Sequence, residues 1–173
     1  MVLFHNSHEK DEMIAHFEGN VDARWLVGAG DDRDMKLLAD FAFVDGAGFR
    51  WEAKKDDTVN GASIPTVVWS EIVGTPYIGD YRRASVVHDV ACTRHIKTSK
   101  DAARMFYEAM LADGTPQPRA LLFYTAVRLF GPQWEAAVGV SNAEFKAKFS
   151  LKVKNTSVDF NKFERALDEA IVF

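Results

Sequence analysis

The stretch LLADFAFVDGAGFRWEAK, residues 37–54, decides the fold class. Phe41, Phe43, Phe49 and Trp51 alternate with other residues, which is the period of a strand with one buried face. Between the aromatic pairs lies Asp45-Gly46-Ala47-Gly48, whose glycines supply the φ > 0 positions of a tight hairpin. Two strands are therefore predicted, over 37–44 and 49–54, followed by a loop over 55–61.

Toward the N-terminus, Ser7 fits the cap of a short helix running to about Phe17, with Met13, Ile14 and Phe17 on one side and Gly19-Asn20 at its end. Residues 23–27 read as a short strand. Residues 28–32 lack the Gly-Lys-Ser/Thr ending of a phosphate loop and read as a turn.

Toward the C-terminus the pattern becomes helical. Pro65 fits a first turn and Gly74 an end. Asp80 fits the cap of a helix over 81–95, where a carboxylate suits the positive end of the macrodipole. Ser99 is expected to cap a helix over 100–113, stopped by Gly114. Thr115 and Pro116 open one over 117–130, closed by Gly131. Ser141 and Glu144 read as a capping box, 151–153 as extended, and 158–171 as an amphipathic helix carrying Phe160, Phe163, Leu167, Ala170 and Ile171. A small β element followed by helices predicts α+β, with a β-hairpin or small antiparallel sheet packed on a predominantly helical C-terminal part.

The chain has 173 residues, enough for one domain with a sizeable core. Its apolar content is 47%, its charged content 27% and its formal charge −4. That balance excludes a general nucleic-acid footprint; the lysines between 146 and 154 read as a solvated face. A single cysteine, Cys92, excludes an internal disulfide. The N-terminus shows no basic segment followed by an apolar one, and no apolar run approaches a membrane span. The expectation is a cytoplasmic protein without a transmembrane segment, with signal-independent export left open. Oligomeric state is not written in the chain.

The chemistry concentrates at His88-Asp89. A histidine near neutral pH can move a proton or hold a metal. At three and four residues along a helix its neighbours are Ala84, Ser85, Ala91 and Cys92, all small, which lets a backbone or ligand approach closely. His88, Cys92 and His95 share one stripe, and Asp89 points about a quarter turn away. Three chemistries compete. His88 acts as a general base with a carboxylate orienting its ring. Alternatively, His88 and a carboxylate bind a metal, with Asp80, Asp89 or the Asn60 loop giving oxygen ligands. Third, Cys92 is a nucleophile; but a helical i, i+4 pair does not converge on a substrate, and a lone Cys among alanines is more often core. Against all three stands a buried structural histidine, hydrogen-bonded to Asp89 or to backbone.

Asn60-Gly61 and Ser63 before Pro65 read first as a turn and a helix cap. As a functional element they form the lip of a pocket, with Ser63 and open N–H groups facing an anion. Arg82 and Arg83 sit near a positive helix end and reach a carboxylate, a substrate anion or solvent. Asp101 is explained by the helix dipole. Trp51, Trp69, Phe106, Tyr107, Phe123 and Tyr124 fall at core-like spacings.

Several segments together resemble an uncharacterised domain family of phages, prophages and bacteria, built around an Asp-Gly-Ala-Ser-Ile-Pro motif. They are Asn60 to Pro65 with Trp69, Gly79 to Arg82 with Ala84, Val87-His88-Asp89, 102–111 and 126–131. The resemblance covers about 37–131 and leaves 132–173 as a helical extension within a single domain, 1–173. It implies that the Asn60 loop, Asp80 and His88-Asp89 surround one pocket. Two acids of the family pattern are absent, replaced by Asn60 and Ala103. A looser, local similarity links the His-Asp helix to that of phospholipase A2; it implies His88 as base and Asp89 as a calcium ligand.

Two functions are expected from these readings. One is a phage- or mobile-element-type hydrolase cleaving an ester, lipid or cell-wall bond. Its catalytic residues would be His88, Asp89 and Asp80, its substrate-binding residues Asn60, Ser63 and Arg82, and Asp89 and Asp80 would hold a divalent cation such as calcium. The other is a non-enzymatic interaction or inhibitor protein, a phage accessory factor or secreted effector, which docks a bacterial or phage protein on a degenerate hydrolase-like scaffold.

Overall fold

The computed structural model describes residues 14–28, 34–60, 81–134 and 158–171. Among these residues six short strands precede four helices, and the fold is α+β. The strands are β1 (His16–Glu18), β2 (Ala23–Trp25), β3 (Met35–Leu37), β4 (Phe41–Val44), β5 (Arg50–Ala53) and β6 (Thr58–Val59). The helices are α1 (Arg82–Arg94), α2 (Ser99–Ala112), α3 (Gln117–Phe130) and α4 (Phe160–Ile171). The strands form two antiparallel three-stranded sheets, ordered β1-β4-β5 and β2-β3-β6.

The hairpin read from 37–54 is β4–β5, with Phe43 opposite Trp51 and Phe41 opposite Ala53. Asp45 builds its turn. Its Oδ1 accepts from the N–H groups of Ala47 at 3.0 Å and Phe49 at 2.8 Å, and its Oδ2 accepts from the Trp51 indole at 2.8 Å. Gly48 supplies a φ of 82° that a side chain would resist.

Three strand expectations need correction. The helix expected to reach Phe17 is instead β1 at its described end: Phe17 pairs with Phe43 and packs its ring 5.5 Å from Phe41. Pairing with a distant strand outweighs a local spacing that also suits a helix. The single strand expected over 37–44 breaks at 38–40, so β3 and β4 belong to different sheets. Asp40 fixes the break by accepting from the Lys55 N–H at 2.9 Å. The expected loop 55–61 contains β6, paired with β3.

Helix α1 is the middle of the molecule, packed on α2 and against β4, β5 and β6. Every residue from Ala84 to Cys92 is buried, the signature of a helix covered on all sides. It ends at His95, in the left-handed conformation at φ 52°. Helix α2 is capped by Thr98 rather than Ser99. Thr98 accepts from the Asp101 N–H while Asp101 reaches back to the Thr98 N–H, a reciprocal capping box. Asp101 is thus explained without catalysis. Helix α3 has the expected bounds, and α4 starts two residues later than the expected 158.

Trp51, Phe106, Tyr107, Phe123 and Tyr124 are core residues, as expected. Readings placed on Ser7, residues 29–32, the helix after Pro65, Trp69, Gly74, the cap at Asp80, the lysines 146–154, the box at 141–144 and the extended 151–153 lie outside the described residues. Among the described residues, no helix is long and apolar enough to cross a membrane.

Candidate functional site

His88 lies in the seam between α1 and α2, with 2% of its surface accessible. The small residues that flank it on α1 are buried, and the helix packed beside them is α2. Its imidazole stacks on Phe106 of α2, centroid to centroid 4.7 Å at 30°. One turn along α1, the Cys92 sulfur lies 3.8 Å from Nδ1 and 3.7 Å from Nε2. The near-equal distances favour neither nitrogen as a directed partner of the sulfur. Such a contact polarises weakly and does not prepare a thiolate.

Burial pushes the His88 imidazole down to about 4, from an ordinary 6.5, and desolvation is the sole cause. A carboxylate against the ring would have opposed that shift by stabilising the imidazolium. The ring is therefore neutral at neutral pH and carries no ionic support.

Asp89 is also buried, but its carboxylate serves a different neighbour. Oδ2 accepts from the Asn60 backbone N–H at 3.2 Å, which ties the end of β6 to α1. The structure thus brings Asn60 to Asp89 as the sequence suggests, while the two halves of the His-Asp pair face different partners. Arg82 is exposed, and its carbonyl accepts from the Ser85 hydroxyl at 2.8 Å. Arg83, not Arg82, finds a carboxylate: its Nε donates to Asp113 at 2.7 Å while its guanidinium lies 4.2 Å from the Phe17 ring centre. His95, the end of the expected histidine stripe, is exposed and stacks on Trp134 at 5.1 Å. Ser63 and Asp80 lie outside the described residues.

Asp89 is the one carboxylate of the proposed metal set that the described residues include. Among the described residues, no group of three or more His, Cys, Asp or Glu side chains is arranged to hold a metal ion. The described residues by themselves therefore supply Asp89 but no assembled divalent-cation site.

Sequence reasoning did not single out Phe106 as the partner of His88. The signal was there in part: Ala102, Ala103 and Phe106 form an apolar face of α2, which must meet the small-residue face of α1. The Arg83–Asp113 pair joins α1 to the end of α2 and has no local sequence signal.

Two relatives come from Sinorhizobium fredii (strain NBRC 101917 / NGR234). The chain is 44% identical over 110 residues to the uncharacterized protein y4iH, a match spanning 63% of this chain and 46% of that protein. It is 41% identical over 108 residues to the uncharacterized protein y4jT, spanning 62% of this chain and 32% of that protein. The chain thus spans less than half the length of these curated relatives. No solved structure matches it. The family described as "Protein of unknown function (DUF1353)" matches residues 35–127, more than half of the chain and close to the 37–131 read from the motifs, so the chain belongs to that family.

Proposed function

We propose that this chain works as a non-enzymatic interaction protein on a degenerate hydrolase-like scaffold, docking a bacterial or phage protein in the cytoplasm. One observation carries this reading. The His88 ring is buried, packs against Phe106 and Cys92, and is neutral with no ionic partner among the described residues. A general base works best with a pKa near the operating pH and with a group that orients it. A ring at about 4 is a weak base, and the Asp89 Oδ2 accepts from the Asn60 N–H. The absence of an acid at Ala103 agrees with this. Ala103 is buried on the face of α2 that carries Phe106, one turn before it. In the resembled pattern that position holds an aspartate, which would supply the missing charge.

A catalytic reading keeps one supporting observation, the neutral state of the His88 ring, since only an unprotonated imidazole accepts a proton from water. In that reading Asp89 and Asp80 orient the base or hold a cation such as calcium. Asn60, Ser63 and Arg82 then bind an ester, lipid or cell-wall substrate. The similarity to the phospholipase A2 helix belongs to this reading alone.

The test is product release by the full chain from p-nitrophenyl esters, phospholipid vesicles and peptidoglycan, with and without added calcium. His88→Gln and Asp89→Asn serve as comparisons, with circular dichroism reporting their folding. The expected result is no release above buffer and no difference between the folded variants. Turnover that disappears in a folded His88→Gln variant would establish the hydrolase instead.

A further inference from the structure

Helix α4 lies beyond the residues that the family covers, yet it is seated on α2 and α3 through a matched set of side chains. On α2, Lys100, Arg104 and Tyr107 recur along one face; on α3, Gln117, Tyr124 and Arg128 do the same. On α4 the facing residues are Phe160, Glu164, Leu167 and Asp168, at spacings of four, three and one. The Phe160 ring stacks on Tyr107 at 4.1 Å and 13°, and meets the Tyr124 ring edge-on at 5.1 Å. The Tyr124 hydroxyl donates to Glu164 at 2.8 Å, and Arg104 donates to the other oxygen of that carboxylate at 3.3 Å. Lys100 and Arg128 both donate to Asp168, each at 2.5 Å. Gln117 brackets the approach to α4, accepting from the Val158 N–H at 2.9 Å and donating to its carbonyl at 2.7 Å.

The α2–α3 face therefore offers an aromatic floor and three cations. Its complement is an amphipathic helix bearing an aromatic residue, then carboxylates four and eight residues later. We infer that this face is a docking groove for an acidic amphipathic helix, that α4 occupies it in cis, and that a partner helix of the same chemistry displaces α4. The seat is suited to exchange. Among the described side chains of α4, Leu167 is the one apolar residue that is fully buried. The side chains of Lys100 and Arg104 are each 43% exposed, and ion pairs in contact with water add little, while Arg128 at 10% and Glu164 at 9% are shielded and give the seat its selectivity. Tethering adds to these contacts by keeping a linked segment at an effective concentration of order millimolar. The inference gives the proposed interaction role a surface. It is read by helix binding, whereas catalysis at His88 is read by product release, so either can fail alone.

The test is fluorescence anisotropy with a labelled peptide of residues 158–173 and the full chain. Weakening the cis helix with Phe160→Ala and Leu167→Ala in the full chain should tighten peptide binding by about tenfold or more over wild type, because the competent fraction rises. Adding Arg104→Glu should abolish the gain. Equal binding by wild type and the weakened chain, or a gain that survives Arg104→Glu, would overturn the inference. A charge swap tests it without touching apolar residues. The full-length Arg104→Glu chain should prefer a peptide carrying Glu164→Lys over the natural peptide, since Arg104 is the cation that faces Glu164, and no change of preference would likewise overturn it.

Discussion

Two helix seams of this molecule treat buried polar groups in opposite ways. Between α1 and α2, the buried ionisable ring of His88 is met by an aromatic face and a sulfur, and its charge is suppressed. Between α4 and the α2–α3 pair, the buried Glu164 carboxylate receives both a hydroxyl and a guanidinium, and Asp168 receives two cations. The first seam is set by shape, since residues as small as Ala84 and Ala91 fix how closely α2 approaches. The second is set by charge complementarity. A packing seam is sensitive to volume, and one that holds a neutral imidazole is also sensitive to its protonation; a charge-balanced seam is sensitive to its carboxylates' protonation and, where it meets water, to salt.

The largest effect should come from breaking the shape-set seam. Phe106 is fully buried, stacks on His88 and lies 6.3 Å from Phe123, ring to ring. Phe106→Ala should destabilise the chain by about 3–5 kcal/mol in urea or guanidinium unfolding, through lost burial and a residual cavity. A cost under about 1 kcal/mol would mean that α1 and α2 close over the gap and that the stack is not what sets their distance.

Acid should expose the same seam next. The folded-state pKa of His88 is lowered, so above the unfolded value near 6.5 both states are neutral and the ring contributes no pH dependence. As pH falls from there toward about 4, the unfolded chain binds a proton that the folded chain refuses, and stability is lost. The loss should approach about 3 kcal/mol at the acid end of that window. His88→Phe keeps a ring on Phe106 and cannot titrate. Subtracting its stability curve from the wild-type curve should isolate the effect, and a flat difference between pH 6.5 and 4 would show that the ring is protonated in the fold. Ala103→Asp should reverse the direction, raising the His88 value in an NMR titration, if the acid reaches the ring.

What the sequence makes legible follows the range of the forces involved. Helix α3 is bracketed by Pro116 and Gly131, and its bounds are the expected ones because termination is a local event. The capping of α2 was also local: Thr98 has Asp101 three residues on, whereas Ser99 has Ala102, so the box belongs to Thr98. The strand β1 is another matter. Met13, Ile14 and Phe17 suit a helix by spacing, and only pairing with β4 makes 16–18 a strand. The break at 38–40 depends on Asp22 accepting from the Leu38 N–H at 2.8 Å and on Asp40 turning to Lys55, contacts between distant residues. At the candidate site, the small-residue face of α1 forecast a close neighbour, and Phe106 is that neighbour. The separate directions of His88 and Asp89 were not legible. Adjacent residues on a helix point about a quarter turn apart, but which partner each meets depends on where β6 and α2 pack.

The smallest effect should be at the charge-set seam, and it sharpens the contrast most. Glu164→Gln keeps the length of the side chain and an oxygen that can still accept from the Tyr124 hydroxyl. It removes the charge that faces Arg104, whose side chain is 43% exposed. A hydrogen bond to a charged acceptor exceeds a neutral one by about 1 kcal/mol, and the ion pair, open to water on its Arg104 side, adds little to that. The expected cost is therefore about 1 kcal/mol or less in denaturant unfolding. The wild-type excess should shrink between 0.05 and 1 M salt, while Phe106→Ala should keep its full cost at both concentrations. A Glu164→Gln cost of about 3 kcal/mol or more, unchanged by salt, would erase the distinction between the seams. Glu164 would then act as a desolvated charge whose loss leaves the Tyr124 hydroxyl and Arg104 stranded, and α4 would be as integral to the fold as α2.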